Sequence, residues 1–231
     1  MQIQPLQQQP QQQERPEERV FLQINHAYPG LKMIHASPLF YSVENFLTPQ
    51  DCEALAAAAS QSMGPSPVVG AGAGEVSVSR TSSSCFFPRE ELPGLVAKVA
   101  ALTNVPMNTL EFPQVGRYYT GEHYSFHFDA FDLGTEEGRR FAQNGGQRIA
   151  TVLIYLNNVT SGGCTYFPHL GLRVTPRQGM AVVFFPASLD GQLDDRLLHA
   201  AEPAGESPKW VSQIWIRQGM HVGSVPRRQF A

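Results

Sequence analysis

With 231 residues and 42% hydrophobic content, the chain is long enough for one substantial core. A formal net charge of −3 with no basic block excludes a phosphate-backbone binder, so no nucleic-acid partner is expected. Cys52, Cys85 and Cys164 are widely spaced with no C-x-x-C pair, which argues against a disulfide scaffold or a zinc ribbon and leaves three thiols as the simpler expectation.

Residues 1–19, MQIQPLQQQPQQQERPEER, are dominated by Gln, Pro and charge; this tail is expected to be disordered and outside the fold. It carries no basic-then-apolar leader, and no apolar run reaches the ~18 residues of a membrane span. The chain is therefore expected to be soluble, cytoplasmic by default, or of the endoplasmic reticulum if residues are missing upstream. "LKMIHASPLFYSVENFL" reads as one or two short strands. Thr48-Pro49-Gln50-Asp51 then opens a helix: Thr48 supplies a capping oxygen, Pro49 suits the first turn, and Asp51 complements the helix dipole. That helix is expected to run to about Met63, where Gly64-Pro65 stops it. Residues 64–79 are Gly-rich and read as a mobile loop, either a lid or a plain surface loop. A second amphipathic helix is expected over about Glu90 to Thr103.

From residue 110 the texture changes to short β-type runs: "LEFPQVGRYY", "HYSFHFDAF", "RIATVLIYLNNV", "LRVTP", "MAVVFF", "LLHAA" and "WVSQIWIRQ". Such spacing indicates an antiparallel barrel or jelly roll. A short helix within 133–146, ending at Asn144-Gly145, interrupts it. Helices first and strands after imply an α+β domain with helices packed on one face of a β-sandwich.

His127 and Asp129 lie two positions apart in "HYSFHFDAF", so on a strand both emerge from one face, as an imidazole and a carboxylate sharing a metal require. Taken alone, the pair fits a polar strand rim equally well. A third ligand would come from a distant strand, and His199 in "RLLHAAEP" stands in such a context; the bland alternative is a satisfied core histidine. Lys209 enters the last core strand just before Trp210, a costly place for one of only three lysines unless an anion waits there; snorkelling to solvent is the alternative. Phe126, Phe128 and Phe131 are read as core.

Four motifs in order carry a resemblance. They are "RTSSS" at 80–84, "QVGRYYTGEHYSFHFDAF", "GGQRIATVLIYLNNVTSGGCTYFP" and "HAAEPAGESPKWVSQIWIR". Together the set resembles the prolyl 4-hydroxylase branch of the Fe(II)/2-oxoglutarate-dependent oxygenases over about residues 38–218. The resemblance implies a double-stranded β-helix: one domain over 20–231, with helical support at 48–103 and a jelly-roll core at about 110–218. It implies His127, Asp129 and His199 as Fe(II) ligands. Lys209 would anchor the distal carboxylate of 2-oxoglutarate, helped by Tyr118 and Thr165. Arg80, Ser82, Glu111, Tyr124, Arg148 and Trp215 match the family's peptide-contacting positions, where Tyr124 and Trp215 could stack on a proline ring. O2 would be the second cosubstrate and ascorbate the reductant. The reaction implied is hydroxylation of proline at C4 in a peptide or protein, with 2-oxoglutarate decarboxylated to succinate and CO2. The alternatives are the same chemistry on a small molecule, or a non-catalytic jelly-roll binding module. Cys164 stands where the family usually carries Glu, the 167–176 loop is short, and Arg217 replaces a His of some relatives; all three bear on substrate. Asp129 argues against the halogenase relatives, which lack the carboxylate.

Overall fold

A computed structural model describes residues 19–68 and 78–223. The expected disordered tail therefore lies almost wholly outside the described residues, as do 69–77 of the proposed lid. The first strands, β1 (Leu31–Ala36) and β2 (Leu39–Val43), form a hairpin. Helix α1 (Pro49–Ser60) follows, then β3 (Gly64–Pro65), β4 (Ser83–Phe86) and α2 (Pro93–Thr103). The remainder is β5 (Gln114–Tyr118), β6 (Tyr124–His127), α3 (Glu136–Ala142), β7 (Arg148–Tyr155) and β8 (Thr165–Phe167). Four strands complete it: β9 (Leu172–Val174), β10 (Ala181–Phe184), β11 (His199–Ala201) and β12 (Lys209–Arg217).

These strands make two antiparallel sheets, a large one ordered β1-β2-β10-β7-β12-β5-β4-β3 and a small one ordered β6-β11-β8-β9. Alternation divides each central strand of the large sheet between two cores. Val152 and Ile154 of β7, with Ile214 and Ile216 of β12, pack with Leu55 of α1 and Val96, Val99 and Leu102 of α2. Leu153 and Tyr155, with Val211 and Phe184, face the small sheet's Phe167 and Ala201. Because both faces of β7 are covered, all eight of its residues are buried. Helices on one face and a second sheet on the other are the α+β jelly-roll arrangement expected from the order of elements.

Local chemistry explains the element ends. Thr48 Oγ1 accepts from the Asp51 N–H at 3.1 Å, and the Asp51 carboxylate accepts from the Thr48 N–H at 3.2 Å, a reciprocal cap. Thr48→Ala should lower stability by about 1 kcal/mol, visible as a drop in Tm without loss of fold. Helix α2 starts at Pro93 rather than Glu90: a separate 3-10 turn spans Arg89–Glu91, and proline, with no N–H to donate, suits a helix start.

Two expectations need correction. Gly64 and Pro65 are not loop: they pair with Ser84 and Ser83 at the end of the large sheet. Phe126 and Phe128 are not core, being 53% and 39% exposed, whereas Phe131 is buried at 4%. The reason is that β6 belongs to the small sheet, which has the large sheet on only one side, so an aromatic residue pointing the other way stays in solvent.

Candidate metal centre

His127 ends β6 and His199 begins β11, and the two are direct cross-strand partners. Asp129 lies just past the strand end, in a bend rather than on the strand. The bend still brings its Oδ1 within 3.8 Å of Nε2 of both histidines. The three donor atoms lie within 4.8 Å of one another, and no other His/Cys/Asp/Glu group of three among the described residues is so disposed.

Each donor is held by a second contact. Nδ1 of His127 bonds the Ser125 carbonyl at 2.8 Å and Nδ1 of His199 the Leu197 carbonyl at 3.0 Å. A carbonyl only accepts, so Nδ1 carries the proton and Nε2 is left with a free lone pair. The Thr151 hydroxyl donates to Asp129 Oδ2 at 2.7 Å, leaving Oδ1 for the shared centre. Burial, then the neighbouring His199, pushes the His127 imidazole down to about 3, so it is neutral at pH 7. For Asp129, burial acts upward, but the two histidines, Arg148 and the Thr151 hydroxyl outweigh it and hold the carboxyl below its ordinary value. Two imidazoles and one ionised carboxylate are a fitting donor set for a divalent transition metal with open positions.

A second pocket wall carries an unpaired charge. Lys209 is 1% exposed, opposite Tyr118 on β5, with Nζ 5.3 Å from the centre of the Tyr118 ring and 5.9 Å from that of Tyr155. No carboxylate lies within ion-pair distance of it among the described residues. Burial lowers this ammonium to about 7 against weak opposing pulls from Cys164 and Glu202. A buried ammonium without a counter-ion is what a site for an anionic ligand requires. Beside it, the Tyr155 hydroxyl donates to Thr165 Oγ1 at 2.8 Å, and burial pushes the Tyr155 phenol up. The Thr165 hydroxyl, its oxygen already occupied, is left to donate outward.

The remaining predicted residues form a polar layer on the other side of the triad. Tyr124 stacks on His127 with ring centroids 3.6 Å apart, and the Arg80 guanidinium lies 4.8 Å from the Tyr124 ring centre. A β-bulge makes this stacking possible: three steps on β6 oppose two on β11, so Tyr124 and His127 share a face that simple alternation would deny them. Arg80 is buried, donating to Ser82 Oγ, the Pro67 carbonyl and Gln114 Oε1, each at 3.2 Å. Glu111 takes a bidentate pair from Arg148 at 2.6 and 2.8 Å, and Arg217 Nε also approaches it at 2.6 Å. Burial raises the Glu111 carboxyl, but the two guanidiniums more than offset this and keep it ionised. Arg148 also lies 3.8 Å from the centre of the Trp215 ring, and the buried Trp215 Nε1–H has no partner among the described residues.

Thr151, Tyr155, Gln114 and Gln213 were not singled out from the sequence. For Thr151 and Tyr155 a signal exists: Thr-x-Leu-x-Tyr puts two polar groups, four positions apart, on one face of an otherwise apolar strand.

The sequence model described as the 2OG-Fe(II) oxygenase superfamily matches residues 113–217. Prolyl 4-hydroxylase 2 of Arabidopsis thaliana is 34% identical over 223 residues, covering 85% of this chain and 72% of that protein. Among solved structures, the viral collagen prolyl hydroxylase of Paramecium Bursaria Chlorella virus-1, in its 2OG complex, is similar with a TM-score of 0.60. It is 24% identical, over 77% of this chain and 95% of that one. The prolyl hydroxylase of Trichoplax adhaerens, in complex with a hypoxia inducible factor oxygen degradation domain peptide fragment, gives a TM-score of 0.53. Identity there is 20%, over 78% of this chain and 83% of that one.

Proposed function

Because the chain belongs to the prolyl 4-hydroxylase family of 2-oxoglutarate- and Fe(II)-dependent oxygenases, we propose how its residues divide the work of hydroxylating a peptidyl proline at C4. The single observation that carries the division is the convergence of His127, Asp129 and His199 on one point, together with a buried Lys209 that has no ion-pair partner among the described residues. No helix among the described residues is long and apolar enough to cross a membrane.

His127, Asp129 and His199 hold Fe(II), their free lone pairs aimed by Ser125, Thr151 and Leu197. When bound, iron and 2-oxoglutarate supply the oxidation: O2 delivers one atom to the substrate C–H and the other to succinate, with loss of CO2. Lys209 anchors the distal carboxylate as a point charge. Tyr118 and Thr165 donate to the same end, and Tyr155 orients the Thr165 hydroxyl by donating to its oxygen. Leu153, Val211 and Phe167 give the pocket an apolar wall that excludes water. On the peptide side, Tyr124, Arg148 and Trp215 stand nearest the substrate. Glu111 acts through Arg148, and Arg80 and Ser82 act through the polar layer that their side chains already bond. Residues 20–231 are read as a single oxygenase domain, and ascorbate as its reductant.

The test is incubation with Fe(II), 2-oxoglutarate and proline-rich peptides under air. Equimolar succinate and peptide carrying one added oxygen atom support the assignment; succinate without hydroxylated peptide across a broad library counts against a peptidyl-proline substrate. Thr151→Val keeps shape but removes the hydroxyl on Asp129. It should lower iron affinity or activity by about 10–100-fold, with an unchanged circular dichroism spectrum.

A further inference from the structure

Two buried polar side chains, Arg80 and Gln114, and the half-buried Gln213 are linked in series on the site side of the large sheet, and the chemistry of their donors fixes which way each one points. Arg80 Nη2 meets the Gln114 carboxamide at 3.2 Å. A guanidinium can only donate, so the Gln114 atom it meets is the oxygen, and the Gln114 amino group is directed to Ser84 Oγ at 3.2 Å. That same Gln114 oxygen also accepts from Gln213. The Gln213 atom facing Gln114 is therefore its amino group, and its carboxamide oxygen is turned away. Nothing among the described residues donates to it.

Gln213 is well placed to use that oxygen. On β12 it shares a face with Lys209, Val211 and Trp215, the face packed toward the small sheet, while Ile214 and Ile216 pack under the helices. Its neighbours on that face are buried, yet Gln213 keeps solvent access. At roughly 3.3 Å per residue it stands about 7 Å along the strand from Trp215 and about 13 Å from Lys209. It thus stands on the site face between the cosubstrate anchor Lys209 and Trp215.

Resting on the peptidyl-proline reading above, we propose that Gln213 is a specificity-determining residue. Its carboxamide oxygen accepts a backbone N–H from a non-proline residue flanking the target proline, and Arg80, through Gln114, holds that carboxamide in orientation. An extended polyproline-II segment makes no internal hydrogen bonds, so each non-proline N–H that loses its water on binding needs a protein acceptor, whereas a proline brings none. Substrates whose contacting neighbour is itself proline leave the Gln213 oxygen unpaired and are selected against.

The experiment is an N-methyl scan. Synthetic peptides carrying one hydroxylatable proline have each flanking backbone N–H replaced in turn by N–CH3, and kcat/KM for hydroxylation is measured by mass spectrometry. Wild type, Gln213→Leu and Gln114→Leu are compared. The bulk of the methyl group is the same for every protein, so the ratio of penalties isolates the hydrogen bond. At one position, methylation should cost the wild type about 10-fold more than it costs Gln213→Leu. Gln114→Leu, with Gln213 present but unoriented, should show a similarly reduced penalty, and it carries the comparison if Gln213→Leu does not fold. Equal penalties in all three proteins overturn the inference alone. A wild type that hydroxylates no proline peptide overturns the proposed reaction, and this inference with it.

Discussion

Lys209→Met should raise the KM for 2-oxoglutarate by about 100-fold or more, the scale expected when one partner of a buried charge pair is removed. The same substitution should make the ligand-free protein more stable. Lys209 is 1% exposed with no counter-ion among the described residues, and its burial lowers it to about 7. Between about pH 7 and the ordinary lysine value near 10.4, the unfolded chain binds a proton that the native chain does not. Native stability therefore rises with pH across that window and is flat below it. The ammonium costs the ligand-free protein of the order of 3–5 kcal/mol at neutral pH, which methionine of similar length removes. The carboxylate of 2-oxoglutarate supplies the missing counter-charge, so its binding takes up a proton above about pH 7. The KM for 2-oxoglutarate should accordingly climb from pH 7 to 9 in wild type. In Lys209→Arg, charged throughout, the profile should be flat whatever its absolute level. Thermal melts with and without 2-oxoglutarate, alongside KM measured across pH, check both halves. A Met variant with an unchanged KM would remove Lys209 as the anchor.

His127→Ala and Asp129→Ala should each abolish stoichiometric iron. Hydroxylation should fall further than the 10–100-fold that loss of a supporting partner such as Thr151 costs. The two side chains fail for different electrostatic reasons. Burial and His199 keep the His127 imidazole neutral at pH 7, so alanine removes a lone pair but no charge. Asp129 is the one anionic donor in the triad, and its loss leaves the metal with imidazoles alone and leaves the buried Arg148 with Glu111 as its one remaining carboxylate neighbour among the described residues. Asp129→Ala should therefore be the more damaging to iron affinity, measured by metal analysis after dialysis against a weak chelator. Full iron retention in either variant would show that the three donors do not share one ion.

How much of this was legible beforehand depended on the range over which each signal acts. The α1 cap was readable because Thr48, Pro49 and Asp51 satisfy one another within a single turn. The strands after residue 110 were readable because alternation and turn residues are local. His127 and His199, 72 positions apart, were nominated by residue type and context, and Lys209 by the cost of its charge. By contrast, Phe126 and Phe128 were assigned to the core because alternation states that a side chain changes face, but not whether a second layer covers that face. Gly64-Pro65 looked like loop because its strand pairing depends on Ser83 and Ser84, across a segment of glycines.

By itself, the sequence determined the chemistry on offer: two imidazoles, a carboxylate and a lone lysine among short antiparallel strands, with helices before them. Only the tertiary structure decided how these groups are aimed. The bulge that turns Tyr124 onto His127, the bend that carries Asp129 to both imidazoles, and the chain of amides from Arg80 to Gln213 all depend on strands far apart in sequence. Register, bulges and the second contact of each ligand come from pairing and packing, which no local run of residues encodes; residue identity, and therefore donor type and charge, needs no partner to be known.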